Sequence, residues 1–349
     1  MPPFSSLQEE VVYRISQFTL GRQILFCPEN FGESREPADL VWISGRCAIL
    51  MYMTKSNKSC EKKIAHNLGQ MQGWLKLWKN GQILRGKVGG RLLEIKFDDI
   101  DYIIGLSVID GGEVWCEYHQ GRVENLKSYK LAACATITGK ILRELAVLGC
   151  GPRDIVAHLV NLKDSARRFA EVEMLQGIRL QAEAENSAIL HGFSSLQRPH
   201  EFREHPSRET NSFFSALKTG EGVKSAGLAE EDLGQLLSEM TLADKLWFMH
   251  ASEMLESNLA GPGQYGPLCL MSMRRSGPYR FQYAAAVSMK EINAQFAKLA
   301  HEEPGLTMAV TFDLGLNFPF RTMLVKSHSG TSLLARDLMS LCVDRGERT

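Results

Sequence analysis

Two short apolar runs with charges at fixed places around them constrain this chain more than anything else in it. Arg35-Glu36-Pro37-Ala38-Asp39-Leu40-Val41-Trp42 is followed by Cys47-Ala48-Ile49-Leu50-Met51-Tyr52-Met53 and then by Thr54-Lys55-Ser56. Their length and apolar content predict strands over about Ala38–Ile43 and Cys47–Met53, and Ser44-Gly45-Arg46 between them predicts a tight turn. Neighbouring strands of this kind deliver charged side chains from their ends. Asp39 enters the first and Lys55 leaves the second.

A helix follows. Ser59 is a good N-cap and Glu61 suits the positive end of the helix dipole. Ile64, Leu68, Met71, Leu75 and Trp78 step by three and four along one face, and Asn80-Gly81 is a stop signal. Ahead of the strands, Val11, Val12, Ile15 and Phe18 predict a helix over Leu7–Leu20, and Ile24–Cys27 predicts a short strand. Beyond the helix, Arg91–Phe97, Asp101–Ile109 and Glu113–Tyr118 read as extended, with Asp110-Gly111-Gly112 as a hairpin signal between the last two. Tyr129 to Gln181 reads as helical with a break at Gly149-Cys150-Gly151-Pro152. The order predicts an α+β fold with one central sheet.

Residues 182–226 are strongly polar with little periodicity and mark a linker, so the expected units are 1–181 and 227–349. In the second, Glu230–Leu259 and Met289–His301 predict helices. Leu268–Met273 with Tyr279–Val287 predicts a hairpin, and Leu306–Leu316 a strand. This makes a smaller α+β domain.

The chain has 349 residues, and its 40 basic and 40 acidic side chains cancel. No net field draws it to nucleic acid or to an acidic membrane, so a nucleic-acid contact must come from a local basic patch. Eight cysteines without a short-spaced framework read as reduced thiols. There is no basic-then-apolar leader after Met1 and no apolar run long enough to span a bilayer, so a cytoplasmic location without membrane contact is expected.

Hydrolysis of a phosphodiester with Mg²⁺ or Mn²⁺ needs hard oxygen ligands and a nearby cation. An aspartate from one strand, and an acid and a lysine two residues apart on the next, meet that need from one face. Glu36-Pro37-Ala38-Asp39, the strand Cys47–Met53 and Lys55 resemble this arrangement in the PD-(D/E)XK nuclease superfamily. Gln70-Met71-Gln72-Gly73-Trp74 resembles the Gln-x-x-x-Tyr element of its RecB-like branch. The resemblance covers roughly residues 1–120. It implies a restriction-endonuclease-like sheet flanked by helices and a metal held by Asp39 with Glu36 or Glu61. It also implies Lys55 at the transition state, Gln70 orienting substrate or Lys55, and an extra acid from Glu9 or Glu10.

One position departs from the pattern. Met53 stands where the second strand should carry its acid. A thioether is no ligand for a hard cation, so two functions stay open. One is a non-catalytic relative that binds nucleic acid or a protein partner, in a homo-oligomer or as a subunit of a bacterial defence or DNA-processing complex. The other is an active nuclease whose acid has migrated. Glu94-Ile95-Lys96, with Asp98, Asp99 and Asp101 nearby, is a second acid-x-lysine, expected as a solvated edge strand.

Basic residues that nucleic acid would contact are Lys76 and Lys79, beside Trp74 and Trp78, and Arg274, Arg275 and Arg280 of the later hairpin. The bland readings are a tryptophan in the core stripe with solvated lysines, and a solvated turn. Gly261-Pro262-Gly263-Gln264-Tyr265-Gly266 has a dinucleotide fingerprint's letters but follows a helix, which reads as a loop. Cys116 and His119 form one zinc half-site without a second, and Ser327-His328-Ser329-Gly330 lacks the frame of a nucleophile elbow.

Overall fold

A computed structural model of the chain describes residues 6–18, 25–31, 36–44, 46–56, 60–88, 91–165, 167–194, 241–243 and 246, together with four strands between 268 and 328. The chain divides into two compact units, the first holding the elements from the N-terminal helix onward and the second a separate four-stranded sheet.

The first unit is α+β. Helix α1 (Leu7–Phe18) and strands β1 (Leu25–Phe26), β2 (Leu40–Ser44) and β3 (Cys47–Lys55) lead into helix α2 (Glu61–Lys79). A two-stranded ribbon of β4 (Leu84–Val88) and β5 (Arg91–Ile95) precedes β6 (Tyr102–Asp110) and β7 (Trp115–Tyr118). Then come α3 (Gln120–Leu126), β8 (Leu131–Thr138), α4 (Gly139–Val147), α5 (Pro152–Ser165), β9 (Phe169–Ala170) and α6 (Glu171–Ser194), whose residues from Ala184 on fall in the second unit. One mixed seven-stranded sheet runs in the order β1-β2-β3-β6-β8-β7-β9.

The centre of the sheet follows from β3. Its run from Cys47 to Tyr52 is buried on both faces, which suits a strand with parallel neighbours covered by helices. It pairs antiparallel with β2, with Ser44 opposite Cys47, and parallel with β6 through the α2 crossover. In turn β6 pairs parallel with β8. Three parallel strands therefore end along one edge, with Lys55 in register with Asp110, and Ile109 with Thr138. Because β2 runs the other way, Asp39 stands at that same edge.

Alternation along β3 divides its side chains. Ala48, Leu50 and Tyr52 join one apolar cluster with Ile64, Leu68, Met71, Leu75 and Trp78 of α2. Met53 and Lys55 emerge on the other face, where Val11 and Ile15 of α1 and Ile141 and Leu142 of α4 are buried. Burying side chains of this size stabilises by roughly 1.5–3 kcal/mol each. Helices on both faces thus fix the strand ends.

Several expectations are corrected. The segment from Tyr129 was expected to be helical, yet β8 lies in the middle of the sheet. Its Leu-Ala-Ala-Cys-Ala-Thr-Ile-Thr sequence is rich in alanine, a helix former. A strand buried on both faces also shows no alternation to betray it. The break at Gly149 is real, and α5 starts with Pro152 at its first position. Asp110-Gly111-Gly112 does not close a hairpin, since β8 lies between β6 and β7. Gly111 and Gly112 do take positive φ, 79° and 73°, so the glycines mark a backbone bend and not a pairing partner.

Ser59 lies outside the described residues; Cys60, in helical conformation, precedes α2 without a side-chain cap. The polar segment expected from Ala182 begins inside α6, which continues to Ser194. Among the described residues no helix is long and apolar enough to cross a membrane.

In the second unit β10 (Leu268–Ser276) and β11 (Tyr279–Ala286) form the expected hairpin. The strand expected at Leu306–Leu316 is β12 (Gly305–Asp313), parallel to β11. It pairs with β13 (Phe320–His328), which sequence reasoning missed. The helix expected at Met289–His301, the loop at Gly261–Gly266 and nearly all of Glu230–Leu259 lie outside the described residues. Ser327 and His328 end strand β13, and no strand–turn–helix frame surrounds them among the described residues.

Candidate functional site at the parallel strand ends

The edge where β3 and β6 end opens into a cavity of about 410 Å³. Gln8 and Glu10 of α1, Met53 and Lys55 of β3, Asp110 of β6 and Arg143 of α4 line it. Open sheets with parallel strands commonly hold ligands beyond the carboxyl ends of the strands, because loops and helix termini converge there.

Asp39 stands just behind this wall. Its Oδ2 accepts a hydrogen bond from the Met53 amide at 2.6 Å, and its own amide donates to the Met51 carbonyl at 3.0 Å. The carboxylate thereby extends the β2–β3 ladder past Leu40. Gln8 Nε2 donates to the Asp39 carbonyl at 2.7 Å and ties α1 to the strand start. Burial pushes the Asp39 carboxyl above its usual range; the Met53 amide opposes that shift and the charge of nearby Glu36 adds to it. Glu36 itself is exposed, and the Tyr52 hydroxyl donates to the Pro37 carbonyl at 2.9 Å, which holds this segment down.

Glu10, half-buried, is gripped from two sides. Its Oε1 lies 2.8 Å from Arg14 Nε and its Oε2 lies 2.7 Å from Arg143 Nε. Arg143 also reaches Asp110 Oδ1 through Nη2 at 3.2 Å. Glu9, the alternative acid on this helix, is exposed and does not line the cavity. Lys55 is exposed, and its side chain makes no ion pair or hydrogen bond among the described residues. On the opposite face of the sheet, buried Asn67 of α2 donates to the Tyr52 carbonyl at 3.2 Å and to Ser107 Oγ at 2.9 Å. It also accepts from Thr54 Oγ1 at 3.0 Å, which pins β3 to β6 just before Lys55 leaves the sheet.

Of the residues singled out from sequence, Asp39, Glu36, Lys55 and Glu10 fall around this end of the sheet. Others fall elsewhere. Glu61 starts α2 and faces Arg168 Nη1 at 3.9 Å, with no part in the cavity lining. Gln70 is on α2, across the sheet from Lys55; the polar α2 side chain beneath the strand end is Asn67.

Trp78 packs edge-on against Phe97 with ring centroids 5.7 Å apart and donates to the Ile95 carbonyl. Trp74 meets Phe31 in the same way at 5.9 Å. Lys76 is exposed, while Lys79 Nζ donates to the Ser128 carbonyl at 3.0 Å and lies over the Tyr129 ring. Arg275 and Arg280 are register partners on β10 and β11, and Arg274 sits within an irregularity of the same ladder. The second acid-x-lysine lies in the β4–β5 ribbon, where Glu94 pairs across the strands with Arg85 at 2.7 Å.

Cys116 and His119 do not act together. Burial pushes the Cys116 thiol up to about 12, and His119 Nε2 lies 2.8 Å from Thr136 Oγ1.

Sequence reasoning missed Asp110 as a site residue and Arg143 altogether. Asp110 carried a signal, an acid closing a nine-residue apolar strand, but only the register with β3 brings it beside Lys55.

A hard divalent ion needs several oxygen donors free to turn toward it. Here Met53 offers sulfur, Glu10 and Asp110 share one guanidinium, and among the described residues no three His, Cys, Asp or Glu side chains form a metal-binding group. The donor set does not fit such an ion. The chain matches no family model, no curated protein and no solved structure.

Proposed function

We propose that the first unit is a nuclease-like domain that binds nucleic acid at the β3–β6 edge without cutting it. One observation carries the reading. Lys55, a cation with no side-chain partner among the described residues, lines the cavity, and Met53, whose amide bonds Asp39, occupies the place of the missing acid. The element order α1-β1-β2-β3-α2 with β6 parallel to β3 supports the nuclease-like part, since it brings an acid and a lysine to one sheet edge.

In this reading Lys55 meets a phosphate as a point charge, and Asp39 is a positioning residue that holds the end of β3 through the Met53 amide. Exposed Lys76 and the arginines of the second unit are further candidate phosphate contacts. Assembly with a protein partner in a defence or DNA-processing complex belongs to the same proposal. The second reading, a migrated-acid nuclease using Mg²⁺ or Mn²⁺, needs an acid outside the Arg143 bridge, and exposed Glu36, whose charge acts on Asp39, is the substitute at this end of the sheet.

Incubating the protein with single- and double-stranded DNA and with RNA, in Mg²⁺ and in Mn²⁺, separates them. The expected outcome is retention without cleavage. Lys55→Ala should weaken retention about three- to tenfold at low salt and flatten the salt dependence, as loss of one phosphate contact does. Metal-dependent cleavage that disappears in both Asp39→Ala and Lys55→Ala would establish the nuclease instead.

A further inference from the structure

Arg143 bridges two carboxylates from different elements. Its Nε takes Glu10 Oε2 of α1 at 2.7 Å, and its Nη2 takes Asp110 Oδ1 of β6 at 3.2 Å. Two acids from separate elements meeting one central cation is the arrangement that a hard divalent ion organises in a hydrolytic site. Here the cation is covalently part of α4.

The charges balance without any ion. Glu10 and Asp110 contribute two negative charges, and Arg14 and Arg143 two positive ones, at 2.7–3.2 Å. All these side chains are at most about one-third exposed, so the pairing is screened less than on an open surface. Space is shaped for it. A Cβ at position 139 would come within 2.8 Å of Asp110 Oδ1, so glycine at the start of α4 lets this carboxylate seat against the helix beside Arg143.

We infer that Arg143 is a built-in counter-ion that occupies the position of a bridging divalent cation, so that the native cleft binds no such ion between Glu10 and Asp110. The cation left over in the cavity is Lys55, and the cleft is thereby fitted to an anion. The inference rests on the geometry of the three side chains and not on the identity of the ligand, although it accounts for a site that binds without cutting.

The test is an Mn²⁺ titration followed by electron paramagnetic resonance, with no nucleic acid present, on the native protein, Glu10→Gln, Arg143→Met and Arg143→Met/Glu10→Gln. The native protein should show no site that depends on Glu10. Arg143→Met should bind Mn²⁺ about tenfold more tightly than the native protein, because two uncompensated carboxylates are hard oxygen ligands. The double variant should lose that gain. Should Arg143→Met fail to fold, Arg143→Gln, which keeps an amide donor, is read by the same titration. Native Mn²⁺ binding that Glu10→Gln abolishes would overturn the inference, as would folded Arg143 variants that bind no better than the native protein. Loss of nucleic-acid retention without any change in these titrations would count against the proposed function alone.

Discussion

The two edges of the seven-stranded sheet use their charges in opposite ways. At the edge where the parallel strands begin, Arg46 makes a two-pronged contact with Asp101, Nε to Oδ2 at 2.7 Å and Nη2 to Oδ1 at 2.8 Å. It also donates to the Asp98 carbonyl at 3.0 Å. Lys130 Nζ is spent on the Phe97 and Ile100 carbonyls, at 2.9 and 2.7 Å. At the edge where the strands end, the Lys55 side chain has no partner among the described residues and Asp39 is satisfied by a neutral amide. Charges that tie loops down are consumed locally, whereas a cation left unspent beside a cavity is available to a ligand. On the function proposed above, that contrast makes one edge scaffold and the other the candidate site.

Protonation separates the edges as well, with opposite signs. The Arg46 hydrogen bond holds the Asp101 carboxyl below its usual value, so this group's stability is present above the unfolded pKa and lost as pH falls through the folded one. Burial pushes Asp39 up, so its stability is present below the unfolded pKa and lost as pH rises through the folded one. A third group obscures both. His158 of α5 is buried, and desolvation lowers it from 6.5 to about 4. The unfolded chain therefore binds the extra proton between about 4 and 6.5, and stability falls as pH drops through that window. At about 1.4 kcal/mol per pKa unit the loss is about 3 kcal/mol. His158→Leu should remove most of this acid limb from a series of urea midpoints taken between those pH values. What stays is the part from His119, which burial also lowers, and the opposing slope of Asp39; the Asp101 window lies below its ordinary 3.8. An unchanged limb would show that His158 takes up no extra proton when the chain unfolds in that window.

The smaller elements of this contrast were unevenly legible in the sequence. The β2–β3 hairpin and the apolar stripe of α2 follow from local signals, because each element's period is set by its own geometry. Asp39 and Lys55 were readable for the same reason, being ends of runs that can be seen. Asp110 and Arg143 were not. Their meeting depends on β6 lying parallel beside β3 and on α4 folding back after β8, and β8 itself hides behind its alanines. A register between strands some fifty residues apart leaves no local trace. Gln70 illustrates the reverse case, in which a short motif on a helix suggested a place in the site while the sheet separates it from Lys55.

Beneath the ligand edge, Asn67 is the polar pin between β3 and β6. Replacing it with alanine leaves the Thr54 hydroxyl and Ser107 without that partner in a buried setting, a cost of about 2 kcal/mol. The measurement is the denaturant midpoint at neutral pH, with the slope unchanged if the loss is purely one of stability. Nucleic-acid retention should fall too, since the strand end that carries Lys55 loses its anchor. A stability loss with full retention would mean that Lys55 does not depend on the exact placement of β3, and the edge would then act as a charged surface more than as a shaped site.

The smallest effect discriminates most sharply between the edges. Arg46→Ala removes a two-pronged but solvent-exposed pair, which is worth about 0.5–1 kcal/mol and less at high salt. Lys55→Ala removes no side-chain hydrogen bond or ion pair among the described residues, so its stability should stay within about 0.5 kcal/mol of native. Retention of nucleic acid should follow the reverse order, unchanged in Arg46→Ala and weakened in Lys55→Ala. Thermal midpoints and filter retention on the same two preparations give all four values. Equal retention by both variants would remove the distinction between scaffold edge and ligand edge, because an unspent cation would then have been shown to do nothing that a spent one does not.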